Sequence, residues 1–149
     1  MSKNVFHSAA GFGMFGEQKT VSFDGATGSG EVGTVDLFDV AGSVIVRLVC
    51  ICTETLVETV GGGTVEVGIT GSTAVIIAQT VSTAVEIGEI WHDAAPDADY
   101  ELLSVMAEFV LSDDLEIFLT VAGQDVTDGT LVFQAFWTPI TAGASVVAA

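Results

Sequence analysis

The densest group of side chains able to do chemistry surrounds Pro96, where Asp93, Asp97, Asp99 and Glu101 share one short stretch. Hard cations such as calcium take several oxygen ligands from loops of this kind, but the spacing lacks the glycine-bent order of an EF-hand. The stretch 93–101 therefore reads as a solvated turn. Histidine is scarce: His7 lies near the N-terminus and His92 at the end of an expected strand. One histidine in the folded body does not supply the His-rich ligand sets typical of zinc or copper. Asp113-Asp114 is a second carboxylate pair in a turn-like setting, whereas a general acid needs burial or a like-charge neighbour inside a cleft. No Gly-x-Ser-x-Gly elbow occurs. The expectation is a protein without catalytic residues, metal or cofactor.

Two glycine patterns match the dinucleotide fingerprint letter by letter, Gly11-x-Gly13-x-x-Gly16 and Gly28-x-Gly30-x-x-Gly33. That fingerprint works only between a strand and a helix N-terminus, where the helix dipole meets the pyrophosphate. The first pattern follows no strand. The second leads into another strand and carries Glu31 where phosphate would approach. Both read as turn glycines. Cys50 and Cys52, at i and i+2 on a strand, share a face but are poorly placed for a bridge, so two buried free thiols are expected. Trp91, Trp137, Phe133 and Phe136 have the chemistry of a sugar-stacking platform. Parity puts Phe133 and Trp137 on one face of their strand and Phe136 on the other, which core packing explains as well.

These side chains need a scaffold, and its class follows from composition. The chain has 149 residues, half of them apolar and 15% charged, which suits one packed domain and not a disordered acidic tail. Twenty acidic residues face Lys3, Lys19 and Arg47, for a net charge of −17. Phosphate binding relies on Lys and Arg, so neither nucleic acid nor an anionic membrane is an expected partner. Abundant Val and Thr with 17 Gly and two Pro favour short strands and glycine turns. Period-two alternation and apolar runs place strands at 19–23, 34–40, 44–51, 64–70, 74–80, 84–91, 107–111, 115–121 and 130–138. The run 44–51, broken only by Arg47, has the pattern of a strand buried on both faces. The last two segments are expected to pair as a hairpin. The fold predicted is all-β: a single antiparallel β-sandwich over 19–140, jelly-roll-like, with a C-terminal tail at 141–149. Residues 1–18 form an extended, glycine-rich apolar arm. Phe6, Phe12, Met14 and Phe15 are its candidate partner-binding residues; the competing reading is a frayed terminus.

Several phrases recur in order: Val21-Ser22-Phe23-Asp24-Gly25-Ala26, Gly33-Thr34-Val35-Asp36-Leu37-Phe38-Asp39-Val40, Ile76-Ile77-Ala78-Gln79-Thr80, and Gly88-Glu89-Ile90-Trp91-His92-Asp93-Ala94-x-Pro96. With them the chain, over roughly residues 20–140, resembles a group of short virion-associated proteins of tailed bacteriophages. The resemblance implies a structural protein of the virion, made in the host cytoplasm. The function expected is a capsid decoration, or cement, protein on the outer head surface. Its partners would be the major capsid protein and its own copies, with a homotrimer preferred. The alternative is a carbohydrate- or receptor-binding β-sandwich of a phage tail or fibre, using Trp91, Trp137 and the loop 93–99.

Overall fold

The computed structural model describes residues 4–7, 13–112 and 115–149. It is the all-β sandwich that the alternation predicts. The strands are β1 (Asn4–His7), β2 (Gly13–Ser22), β3 (Gly33–Ala41), β4 (Val44–Glu58), β5 (Thr64–Ile69), β6 (Ser72–Val81), β7 (Glu89–Ile90), β8 (Asp97–Ala98), β9 (Glu108–Leu111), β10 (Glu116–Ala122), β11 (Val126–Pro139) and β12 (Ser145–Ala148). Single 3-10 turns lie at Ser82–Ala84 and Leu103–Val105. No helix of the described residues is long and apolar enough to cross a membrane.

The first sheet runs β1-β2-β11-β4-β7-β8, with β9 also paired to β4; the second runs β12-β3-β10-β5-β6. Between them lies one apolar core to which β3, β4, β5, β10 and β11 contribute alternate residues. Val44, Val46, Leu48, Cys50 and Cys52 come from β4, and Leu131, Phe133, Ala135 and Trp137 from β11. The second sheet supplies Val35, Leu37, Val65, Val67, Ile117, Leu119 and Val121. Apart from Cys50, Cys52 and Ala135 these are large or β-branched side chains at inward positions, and full burial of a Val, Leu, Ile or Phe contributes about 1.5–3 kcal/mol.

Four expectations about strand pairing and boundaries differ from the structure. The segments around 115–121 and 130–138 do not pair with each other. β10 is bonded on both edges, to β3 and β5, while β11 crosses to the first sheet between β2 and β4. The Val126 amide, at the start of β11, donates to Gly30 O at 2.8 Å and ties the strand to the β2–β3 connection. Gly30 is there for a steric reason: a Cβ would sit 2.0 Å from Val126 O. Segment 84–91 follows β4 irregularly, through Leu56 N to Val85 O and Gly88 N to Cys52 O. The 3-10 turn and Gly88 at φ 88° interrupt its ladder, so only Glu89–Ile90 is strand. The tail is part of the sandwich, since β12 pairs with β3 and Val146 is fully buried.

The fourth difference concerns the arm. β2 starts at Gly13, six residues before the expected strand, because β11 extends to Pro139 and offers Phe136 and Trp137 as ladder partners for Gly16 and Phe15. Phe15 is accordingly half-buried and stacks on Trp137, ring centroids 4.6 Å apart. It belongs to the edge of the core, not to a free arm. Phe6 lies in β1, paired in register with Met14 of β2. Phe12 lies outside the described residues.

Candidate functional site

The two outer faces of the sandwich have opposite chemistry. Residues directly opposite on paired strands share a face, so the outer face of the second sheet can be read from the register. It carries Asp36, Asp39, Glu66 and Glu116, with Thr34, Thr120 and the aromatic Phe118 between them. The first sheet shows another surface. Along β4 the outward residues are Ile45, Arg47, Val49 and Ile51, and opposite them on β11 stand Thr138, Phe136, Gln134 and Val132. On the other flank β9 sets Val110 beside Ile45 and Glu108 beside Arg47. Among the described residues, Glu108 is the only acid in this β9-β4-β11 stretch and is paired with Arg47 (Nη2 to Oε1, 3.1 Å). Asp97 lies beyond it on the same sheet, next to Ile90, which stands opposite Ile51. In a chain of net charge −17, a charge-balanced apolar face of this kind is a place where another surface approaches without electrostatic cost.

The expectation that β4 is buried on both faces is met on one face alone. Its inner residues are buried, and its outer ones are half-exposed at Arg47, Val49 and Ile51 and exposed at Ile45. Val110 is 68% exposed, and the crossover leading into β9 exposes Tyr100, Leu102, Leu103 and Val105. Sequence reasoning missed the face, although its signal was present: outward positions of β4 carry Ile and Val where a solvated strand alternates to polar residues.

The aromatic positions are distributed as parity requires. Phe133 and Trp137 are buried, and Phe136 is half-buried on the outer face. Trp91 is fully buried against Phe133, edge to face, with centroids 6.4 Å apart. Neither indole presents a ring to a ligand. Cys50 and Cys52 are free, buried thiols. Burial pushes the Cys50 thiol well up, with the neighbouring Cys52 adding to it, and burial raises Cys52 to about 11. Gly28, Gly30 and Gly33 lie in the β2–β3 connection with positive φ, as turn glycines.

The acidic loop is more organised than a solvated turn. Trp91 Nε1 donates to Thr80 Oγ1 at 2.8 Å, and that hydroxyl reaches Asp93 O at 3.0 Å, so the backbone is pinned on both sides of His92. The imidazole, only 8% exposed, faces three carboxylates. Nε2 lies 2.9 Å from Asp97 Oδ2 and 3.4 Å from Glu101 Oε2, and Nδ1 lies 3.6 Å from Asp93 Oδ2. The hydrogen bond from His92 holds the Asp97 carboxyl below its ordinary 3.8. Of the four acids singled out in sequence, three gather on His92. Asp99 instead takes the turn position with φ 72°. In sequence His92 is set aside as a lone histidine, because it closes one segment while its partners belong to the next. The clue was a histidine immediately preceding a turn-rich acidic run.

No family model, curated protein or solved structure matches this chain.

Proposed function

We propose that the chain is a structural protein of a tailed-phage virion: a decoration protein that binds the outer head surface formed by the major capsid protein, stabilises it, and does so as a homotrimer. The observation that carries this reading is the contrast between the two outer faces. A sandwich with one neutral apolar face and one acidic face is suited to lie on a protein surface and turn its charge outward. The strand order supports it too. Taking β2–β6 and β9–β11 as eight strands in turn, one sheet is ordered first, eighth, third, sixth and the other second, seventh, fourth, fifth. We read that order as jelly-roll-like, an architecture common among capsid domains. The resemblance of its phrases to virion-associated phage proteins is a further ground for this reading. The acidic surface keeps unassembled copies soluble and away from nucleic acid.

Immunogold labelling of native particles is expected to decorate the head; label confined to the tail overturns the reading. The variant Ile45→Glu/Val110→Glu is expected to fold normally, since both side chains are exposed, and to fail to add to heads stripped of the protein. Full addition would remove the assigned face. The glycan-binding alternative needs exposed rings, and Trp91 and Trp137 are buried. Acrylamide should therefore quench their fluorescence weakly, and quenching as strong as that of free tryptophan would restore the alternative.

A further inference from the structure

Besides the apolar face, the molecule gathers one other set of side chains with a chemistry of its own. We propose that His92, Asp97 and Glu101 form a binding site for one zinc-class divalent cation, clipping together the long crossover between β7 and β9. The ligand atoms, one ring nitrogen and two carboxylate oxygens, all lie within 4.8 Å of one another. Two of their separations, 2.9 and 3.4 Å from His92 Nε2, bracket the edge of about 3.3 Å in a tetrahedron with zinc–nitrogen and zinc–oxygen arms of about 2.0–2.1 Å.

Two further observations point to a cation rather than to an ordinary acidic turn. The imidazole is more than nine-tenths buried and aimed into the group, and its Nε2 supplies at most one proton for two anionic oxygens. A dication satisfies all three donors at once. On the far side of the ring, Asp93 Oδ2 stands 3.6 Å from Nδ1, longer than a hydrogen bond but close enough to take that N–H after a small shift, as the outer carboxylate of a metal-bound histidine does. The mixed nitrogen and oxygen set favours zinc or a neighbouring first-row ion over calcium or magnesium, which prefer oxygen alone. Among the described residues no Lys or Arg makes an ion pair with the group, Arg47 being engaged by Glu108. The crossover itself contains only β8 and one 3-10 turn, so a clip joining residues 92, 97 and 101 ties it to the buried Trp91.

The full-length chain, stripped with EDTA, is titrated with zinc chloride by calorimetry, and with cobalt(II) chloride followed by visible absorption. One ion per chain, the intense d–d bands of tetrahedral cobalt, and a melting temperature raised by about 5–10 °C at zinc a hundredfold above its Kd are expected. Calcium and magnesium should leave the melting temperature unchanged. His92→Ala and Glu101→Gln should each lose the cobalt bands, and Asp93→Asn should weaken binding about 10–100-fold. Absence of zinc binding overturns the proposal. So does an equal response to calcium, or zinc binding that survives loss of the imidazole, because either makes the loop a nonspecific acidic patch. If His92→Ala does not fold, the wild-type cobalt spectrum and Glu101→Gln decide the matter alone.

Discussion

Replacing Thr80 with valine removes one oxygen and leaves shape almost unchanged, which isolates a hydrogen-bonded junction in the core. Thr80 is 2% exposed. Its hydroxyl accepts from Trp91 Nε1 at 2.8 Å and lies 2.9 and 3.0 Å from Ala78 O and Asp93 O, either of which can take its proton. It thereby joins β6, an edge strand of the second sheet, to the crossover that leaves the first. In Thr80→Val the indole N–H stays buried without a partner, since Trp91 is fully enclosed. Leaving such a donor unsatisfied costs about 1–3 kcal/mol, and the lost hydroxyl bond adds to it, for about 2–3 kcal/mol in all. At about 3–4 °C per kcal/mol for a chain of this size, the melting temperature should fall by about 6–12 °C. Thr80→Ser keeps the hydroxyl and gives up one methyl, worth about 1 kcal/mol or about 3–4 °C. Scanning calorimetry, with near-ultraviolet circular dichroism reporting the indoles, measures both. If valine and serine variants melt within about 2 °C of each other, the junction is not what holds this corner and the reasoning fails.

Three other outcomes follow from particular residues. Cys50 and Cys52, buried and with raised thiol pKa values, should resist a thiol-specific chromogenic reagent at pH 7.5 in the native protein and react fully in denaturant; rapid native labelling would contradict their enclosure. Asp24 accepts from Ser29 Oγ and from the Ala26 amide, and these bonds, the Ser29 one first, hold its carboxyl below the ordinary 3.8. A folded value below the unfolded one means that its stabilisation is complete above the unfolded pKa and is lost as pH falls through the folded value. The stability gap between wild type and Asp24→Asn should thus be constant near neutrality and close below about pH 4; a gap independent of pH would refute the assignment. Deleting residues 1–12 removes only the edge strand β1 and should lower the melting temperature less than deleting 1–17, which also strips Phe15 from Trp137 and part of β2 from β11. Equal melting temperatures for the two truncations would show that this end of β2 contributes nothing to the sandwich.

What the sequence determined by itself is what short-range pattern encodes. Alternation in 34–40 and 64–70 and the parity of Phe133, Phe136 and Trp137 specify strands and the face each residue takes, because side chains on a strand switch sides at every step. Those rules identify Val35, Leu37, Val65 and Val67 as core before any partner is known. They are silent on partnership. That β10 pairs with β3 and β5 while β11 crosses to β2 and β4 depends on which edges other strands have already filled. The same non-local closure draws Phe15 onto Trp137 and seats β12 beside β3. The two features with functional weight are of this second kind. The neutral face exists because β9 and β11 flank the apolar outer row of β4, and its contrast with the acidic second sheet is visible only once both sheets are assembled. The group at His92 exists because Thr80, on the opposite sheet, pins Trp91 and Asp93 and lets residues 97 and 101 fold back onto the ring. Spacing along the chain carries no record of that return, since it is made by hydrogen bonds between strands far apart in sequence.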